Sequence, residues 1–293
     1  MHYQEFLETV TSLVCFSIPQ DTKAELTQVL KNNDTRLDAL TFRTPDSDVS
    51  PTIYLNPFYQ NYLNGADPRD IAEEIVHVWE GSLPAATPDL SFFSDYEKVK
   101  PRLVYKLVNQ KQNRELLSET PWCPFLDLAI VFYCLLSEDT QGNATILIRS
   151  KHCEIWNVDA ETLLKDAQEN TPFLLAPEIK SMREMLPPLL FPPEADEDHF
   201  PPLYVLTNRL KLNGAACLLY DHLLQDFSER IDSDFYILPS SVHEVILMPA
   251  KSRTDDDALS SMVCDVNRTQ VSSEEYLSDH VYFYSRSERQ ICL

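Results

Sequence analysis

Residues 128 to 136 read LAIVFYCLL, nine apolar residues in a row. The run is too short to cross a bilayer as a helix, which takes about 20 residues, and too apolar to lie on a surface. It belongs in a core. Together with the flanking stretch from Pro121 to Ser150 it reads as two buried strands around a turn at Gly142-Asn143. Near-continuous apolar runs of this kind fit a sheet covered on both faces. Periodicity alone leaves a buried helix open for the first run.

Elements of both kinds surround it. Phe6, Val10, Leu13 and Val14 fall at helical spacing, and residues 1 to 33 read as helical. DALTFRT and PTIYLN form a hairpin-like strand pair. The segment NGADPRDIAEEIVHVWEG is a strong helix signal: Asp67 can cap it, Pro68 suits the first helical position, and Ile71, Ile75, Val78 and Trp79 make an apolar stripe. RLVYKLVN reads as a strand, and DAETLLKDAQEN as a helix capped by Asp159. From 203 onward LYVLT, DFYIL, HEVILMP and DHVYFYSR read as strands, and DHLLQDFSERI and DDDALSSMVCDVNRTQ as helices. Interleaving of this sort defines an α/β or α+β class with mixed sheets. Two subdomains are expected, 1–120 and 121–293, with a proline-stiffened acidic loop at 186–202.

Only four glycines occur in 293 residues, at 65, 81, 142 and 214. No two of them fit G-x-G-x-x-G or G-x-x-x-x-G-K-[ST], so the glycine-dependent phosphate cradles are missing. With 24 basic against 46 acidic residues the net charge is −22. That sign repels phosphate backbones and disfavours general nucleic-acid binding, while it can steer a basic protein partner onto an acidic face. The seven cysteines are scattered, without a C-x-x-C pair. This is the usage of a reducing cytoplasm, and no zinc ribbon, cofactor or metal site is expected. The start, MHYQEFLETV, has neither a basic region nor an apolar signal core. A soluble cytoplasmic protein is the expectation.

Four groups of residues invite a functional reading. Ser241 and His243, in DFYILPSSVHEVILMPA, have a nucleophile and a base two positions apart. If HEVILMP is a strand, Glu244 points to the opposite face and cannot orient His243, and a turn in which Ser240 or Ser241 bonds nearby backbone competes with catalysis. Cys153, in His152-Cys153-Glu154, could be a thiolate nucleophile with a remote histidine. Asn208, Arg209 and Asn213 follow a buried strand, a place where ligand groups often sit, and Gly214 beside them requires positive φ or close packing. Glu194, Asp196, Glu197 and Asp198 form an acidic tract that could meet a basic partner. PEIK at 177–180 contains the E-x-K half of a metal-dependent nuclease motif, a pattern of three residues that arises often by chance.

The stretch LTNRLKLNGAACLLYDHLLQDFSERIDSDFYILPSSVHEVILMPA resembles an uncharacterised domain-of-unknown-function family common in gut Firmicutes. The earlier blocks PTIYLNPFYQNYLNGADPRDIAEEIV and PWCPFLDLAIVFYCLL and the later VNRTQVSSEEYLSDHVYFY are similar to it as well. The likeness covers most of the chain. The core around GAACLLY, DFYILPSS and HEVIL is more distantly similar to a second uncharacterised bacillar family. The resemblance implies a bacterial setting and an α/β-type fold, and carries no activity or site residues. The leading expectation is a non-catalytic acidic protein that binds or regulates a partner, for example an immunity-type inhibitor of a basic toxin. The alternatives are a hydrolase using Ser241 or Cys153 with a distant histidine, and a small-ligand sensor near Asn208 and Arg209.

Overall fold

The computed structural model describes residues 1–45, 50–83, 90–139, 142–185, 202–250 and 256–293. The chain forms two compact units: residues 1–31 with 35–91, and residues 32–34 with 92–293. The break falls at Ser91 and Phe92 and not near 120. Residues 103–109 form a strand hydrogen-bonded to the run that begins at Leu128, so they belong with the second unit.

The first unit holds helix α1 (Tyr3–Ser17), strands β1 (Lys23–Leu30), β2 (Arg36–Arg43) and β3 (Thr52–Tyr54), and helices α2 (Asn56–Leu63) and α3 (Pro68–Ser82). The three strands make an antiparallel sheet in the order β1-β2-β3. The helical reading of residues 1 to 33 therefore stops at Ser17, and residues 23 to 30 are a strand. The reason is cross-strand: Leu26 pairs with Leu40, and the hydroxyls of Thr27, Thr41 and Thr52 link in a ladder at 2.9 and 3.1 Å. Helix α3 starts where its cap signals place it, with the Asp67 carboxylate accepting from the Arg69 N–H. Ile71, Ala72, Ile75 and Trp79 are its buried face, while Val78 is exposed. Trp79 stacks on Phe42, with ring centroids 5.0 Å apart.

The second unit has two antiparallel sheets. In one, β6 (Leu128–Asp139) pairs with β4 (Leu103–Asn109), and along its other edge with β5 (Trp122–Phe125) and β7 (Gly142–Leu147). The other runs β13-β12-β10-β11-β9-β8, with β8 (Pro177–Ser181), β9 (Tyr204–Asn208), β10 (Phe235–Ser241), β11 (Glu244–Pro249), β12 (Tyr282–Ser285) and β13 (Gln290–Cys292). Every strand pair among the described residues is antiparallel, so the chain is α+β and the mixed sheets expected from its interleaved elements do not form. The LAIVFYCLL run is strand β6, and its residues from Leu128 to Leu135 are buried on both faces. Tyr105 and Phe132 from the first sheet share one core with Phe235, Val245, Leu247 and Tyr282 from the second. Helices α4 (Tyr96–Val99), α5 (Arg114–Glu119), α6 (Ser150–Trp156), α7 (Ala160–Leu174), α8 (Met182–Met185), α9 (Leu223–Ile231) and α10 (Asp256–Gln270) complete the unit. A 3-10 segment at Gly214–Leu219 lies wholly in the core apart from Leu219. Among the described residues, no helix is long and apolar enough to cross a membrane.

The first unit's core depends on the stacked pair. Trp79→Ala should lower the unfolding free energy by about 3–5 kcal/mol, the usual cost of truncating a buried aromatic, as read by urea denaturation.

Candidate functional site

Two of the expected sites turn out to be one place. Ser241 and Glu244 pair at the end of the β10–β11 hairpin, so Val242 and His243 form its turn and His243 is outside strand β11. The Ser241 Oγ accepts the His243 backbone N–H at 3.0 Å. The His243 Nδ1 accepts the Asn213 backbone N–H at 3.2 Å, and its carbonyl accepts the Thr207 hydroxyl at 2.7 Å. The hairpin tip is thus pressed onto the loop after β9. Asn208 organises that loop from within: its amide donates to the Leu212 carbonyl, and its oxygen accepts from Leu210 and Leu212 N–H groups. Asn208 is buried with both polar atoms occupied, Arg209 is exposed, and Asn213 adopts φ 53°.

Gly214 shows why the clasp closes. Its φ is not positive, and a Cβ built there would stand 2.2 Å from Thr207 Oγ1 and 2.4 Å from the His243 carbonyl oxygen. The need is close packing. From this point the 3-10 segment carries Leu218, Leu219 and Tyr220 to the surface of a cleft.

Cys153 lies on α6, half-buried. Burial, with Asp159 adding, pushes its thiol up, which is opposite to the shift a nucleophilic thiolate needs. The neighbouring His152 accepts the Arg149 backbone N–H at Nδ1 and packs its ring against Phe93 and Trp156. Among the described residues no histidine side chain hydrogen-bonds the Ser241 hydroxyl or the Cys153 thiol. Glu178 and Lys180 of PEIK sit on edge strand β8 and pair with each other at 2.9 Å. Glu194, Asp196, Glu197 and Asp198 lie outside the described residues.

The cleft, about 520 Å³, was not visible in the sequence. Phe125 from the end of β5, Leu218, Leu224 and Ile291 supply apolar walls, and Asp221, His222 and Arg289 supply polar groups. That size falls in the range of small-molecule sites, from about 300 to 1,000 Å³. A wider opening of about 750 Å³ lies beside Lys100 and Trp156, but its buried carboxylate, Asp166, is already met by Tyr96 at 2.7 Å and Lys100 at 3.0 Å. In the smaller cleft the charges are not spent. Asp221, His222 and Arg289 are exposed, and their side chains make no hydrogen bond or ion pair among the described residues.

The two sheets that flank this cleft are tied together by Asp127, at the β5–β6 turn. Its carboxylate accepts from the Tyr282 hydroxyl at 2.6 Å and the Ser278 hydroxyl at 2.7 Å, with His280 Nδ1 at 3.0 Å. The turn is strained: Leu126 has φ 53°, rare for a branched apolar residue. Burial pushes the Asp127 carboxyl up, but hydrogen bonds from Tyr282, Ser278 and His280 outweigh it and hold the group below the usual carboxylate range. Asp127, the lone acid between two apolar runs, was the one sequence signal for this node.

A profile of the family DUF5688, described as a family of unknown function, matches residues 3–286. The chain therefore belongs to that family, and its fold is α+β. No curated protein and no solved structure matches it.

Two outcomes follow from the packing and the charge. Gly214→Ala should destabilise the protein by about 3 kcal/mol or more, whereas Gly81→Ala, in helix α3 with nothing within 4 Å of its Cβ position, should stabilise by about 0.5–1 kcal/mol. Chemical denaturation separates them. Because the Asp127 carboxyl is held low in the folded state, its contribution is complete above the unfolded value of about 4 and is lost as pH falls through the folded value. Asp127→Asn should cost about 1–3 kcal/mol at pH 7, and the deficit should shrink in denaturation profiles taken toward pH 3.

Proposed function

We propose that this protein binds a small amphipathic molecule in the cleft between the 3-10 segment, α9 and the β12–β13 hairpin. One observation carries the reading: Arg289 faces an apolar-walled cleft without an anionic partner, in a chain that has 22 more acidic than basic residues. A cation in such a chain ordinarily finds a carboxylate, and Arg286, in the same turn, does so with Asp232 at 2.6 Å. Backbone geometry supports the same place. Arg289 has φ 55° and His222 φ 62°, and the strained Leu126 adjoins Phe125 of the cleft wall. Non-glycine residues held in this region each cost about 1 kcal/mol or more, and such strain concentrates at binding sites.

The cleft offers apolar walls and exposed charges of both signs, which supports recognition, and binding is its expected activity. The test is an amide NMR titration with four leucyl-leucine derivatives that share one apolar body and differ only in their termini. Resonances of residues 218–225 and 289–291 should move with at least one of them at millimolar concentration or below. No movement in those residues with any of the four would overturn the reading.

A further inference from the structure

Resting on that cleft as a binding site, we infer that its ligand is a zwitterion: an apolar molecule of amino-acid to short-peptide size, with a carboxylate at one end and an ammonium at the other. Arg289 is the carboxylate site. Its guanidinium presents a planar fork of donors that matches a carboxylate in a bidentate fashion. The turn that carries it is held by other residues: the Arg286 backbone N–H donates to Asp234 at 2.8 Å, the Arg286 side chain to Asp232, and the Glu288 N–H to the Ser285 hydroxyl at 3.3 Å. None of these bonds uses Arg289, so its side chain is presented on a braced loop.

Asp221 is the ammonium site. It lines the same cleft and makes no hydrogen bond or ion pair among the described residues. A simple carboxylate ligand would meet Asp221 as a repulsive neighbour and would approach a molecule of net charge −22 against its field. A zwitterion has no net charge, so it escapes that long-range repulsion and satisfies both exposed charges on arrival. The apolar body is read by Phe125, Leu218, Leu224 and Ile291. A volume of about 520 Å³ has room for more than a single amino acid.

The peptide series decides it. The probes are leucyl-leucine, its N-acetyl form without the ammonium, its C-terminal amide without the carboxylate, and the N-acetyl amide with neither. Leucyl-leucine should bind best, and removal of either charge should weaken it by about tenfold or more, the loss of one charge-assisted contact. Arg289→Gly separates a binding role from a structural one. Glycine relieves the positive φ, so the melting temperature should rise while leucyl-leucine affinity falls. Asp221→Asn should weaken leucyl-leucine yet strengthen the anionic N-acetyl peptide, which no longer meets a repulsive carboxylate. If the N-acetyl peptide, the C-terminal amide or the N-acetyl amide binds as well as leucyl-leucine, or if Arg289→Gly binds leucyl-leucine undiminished, the zwitterion inference is wrong while the cleft still binds amphipaths. If none of the four peptides binds, the cleft reading itself falls and takes this inference with it.

Discussion

A single carboxylate, Asp127, ties the two sheets of the larger unit by polar bonds. Two hydroxyls and an imidazole converge on it, from Tyr282, Ser278 and His280. Burial of a carboxylate is costly, and here three donors offset that cost, whereas one left unpaired would be strongly unfavourable. The bond set fixes the β5–β6 turn against the start of β12. Phe125 precedes that turn, and Tyr284 lies two residues beyond Tyr282 on the same face of β12. Both line the cleft, so two of its walls inherit their positions from one ionised group. His280 resembles half of a catalytic dyad in this arrangement, but its Nδ1 and the Ser278 hydroxyl both serve Asp127.

Glycine scarcity imposes a second constraint. A chain with tight turns needs left-handed backbone, and among the described residues only Gly65 supplies it as glycine. Nine other residues take positive φ instead, five of them Asn or Asp, whose short polar side chains tolerate it. The remainder are Leu126, Lys211, His222 and Arg289. Such positions are strained, and strain that persists is held by surrounding structure. Arg289 shows this plainly: Asp232 and Asp234 hold the turn through Arg286, and the strained residue is the one left facing the cleft.

Much of the architecture was legible from local signals. The cap of α3 and its stripe apart from Val78, the Asp159 cap of α7 and most of the strands appear where spacing and end signals put them. The errors have identifiable causes. Residues 23–30 look helical by proximity to α1, yet pairing with β2 outweighs that local preference. The DFYILPSSVHEV stretch looked chemical because it places a serine and a histidine close together. The register of a two-residue turn directs the serine hydroxyl to a backbone N–H and the imidazole Nδ1 to another. Asn208 and Asn213 sit in the turn after β9, which uses both side-chain polar atoms of Asn208 and the backbone N–H of Asn213.

The sequence by itself determined a water-repelling core run at 128–136, strand or buried helix, an α-and-β composition, the lack of glycine phosphate loops and a strongly acidic charge. These are one-dimensional properties: run length, period, residue counts. The cleft is built from Phe125, the segment from Leu218 to Gln225, and the hairpin end from Arg289 to Ile291. Those pieces are separated by about a hundred residues and by some sixty more, and no local pattern marks them as neighbours. The antiparallel pairing of β12 with β10, the Asp127 node and the packing of Leu218 and Leu224 in the shared core bring them together. Which charges end up paired was equally a tertiary matter, because Arg286 and Arg289 are alike in sequence and differ only in what the fold places within reach.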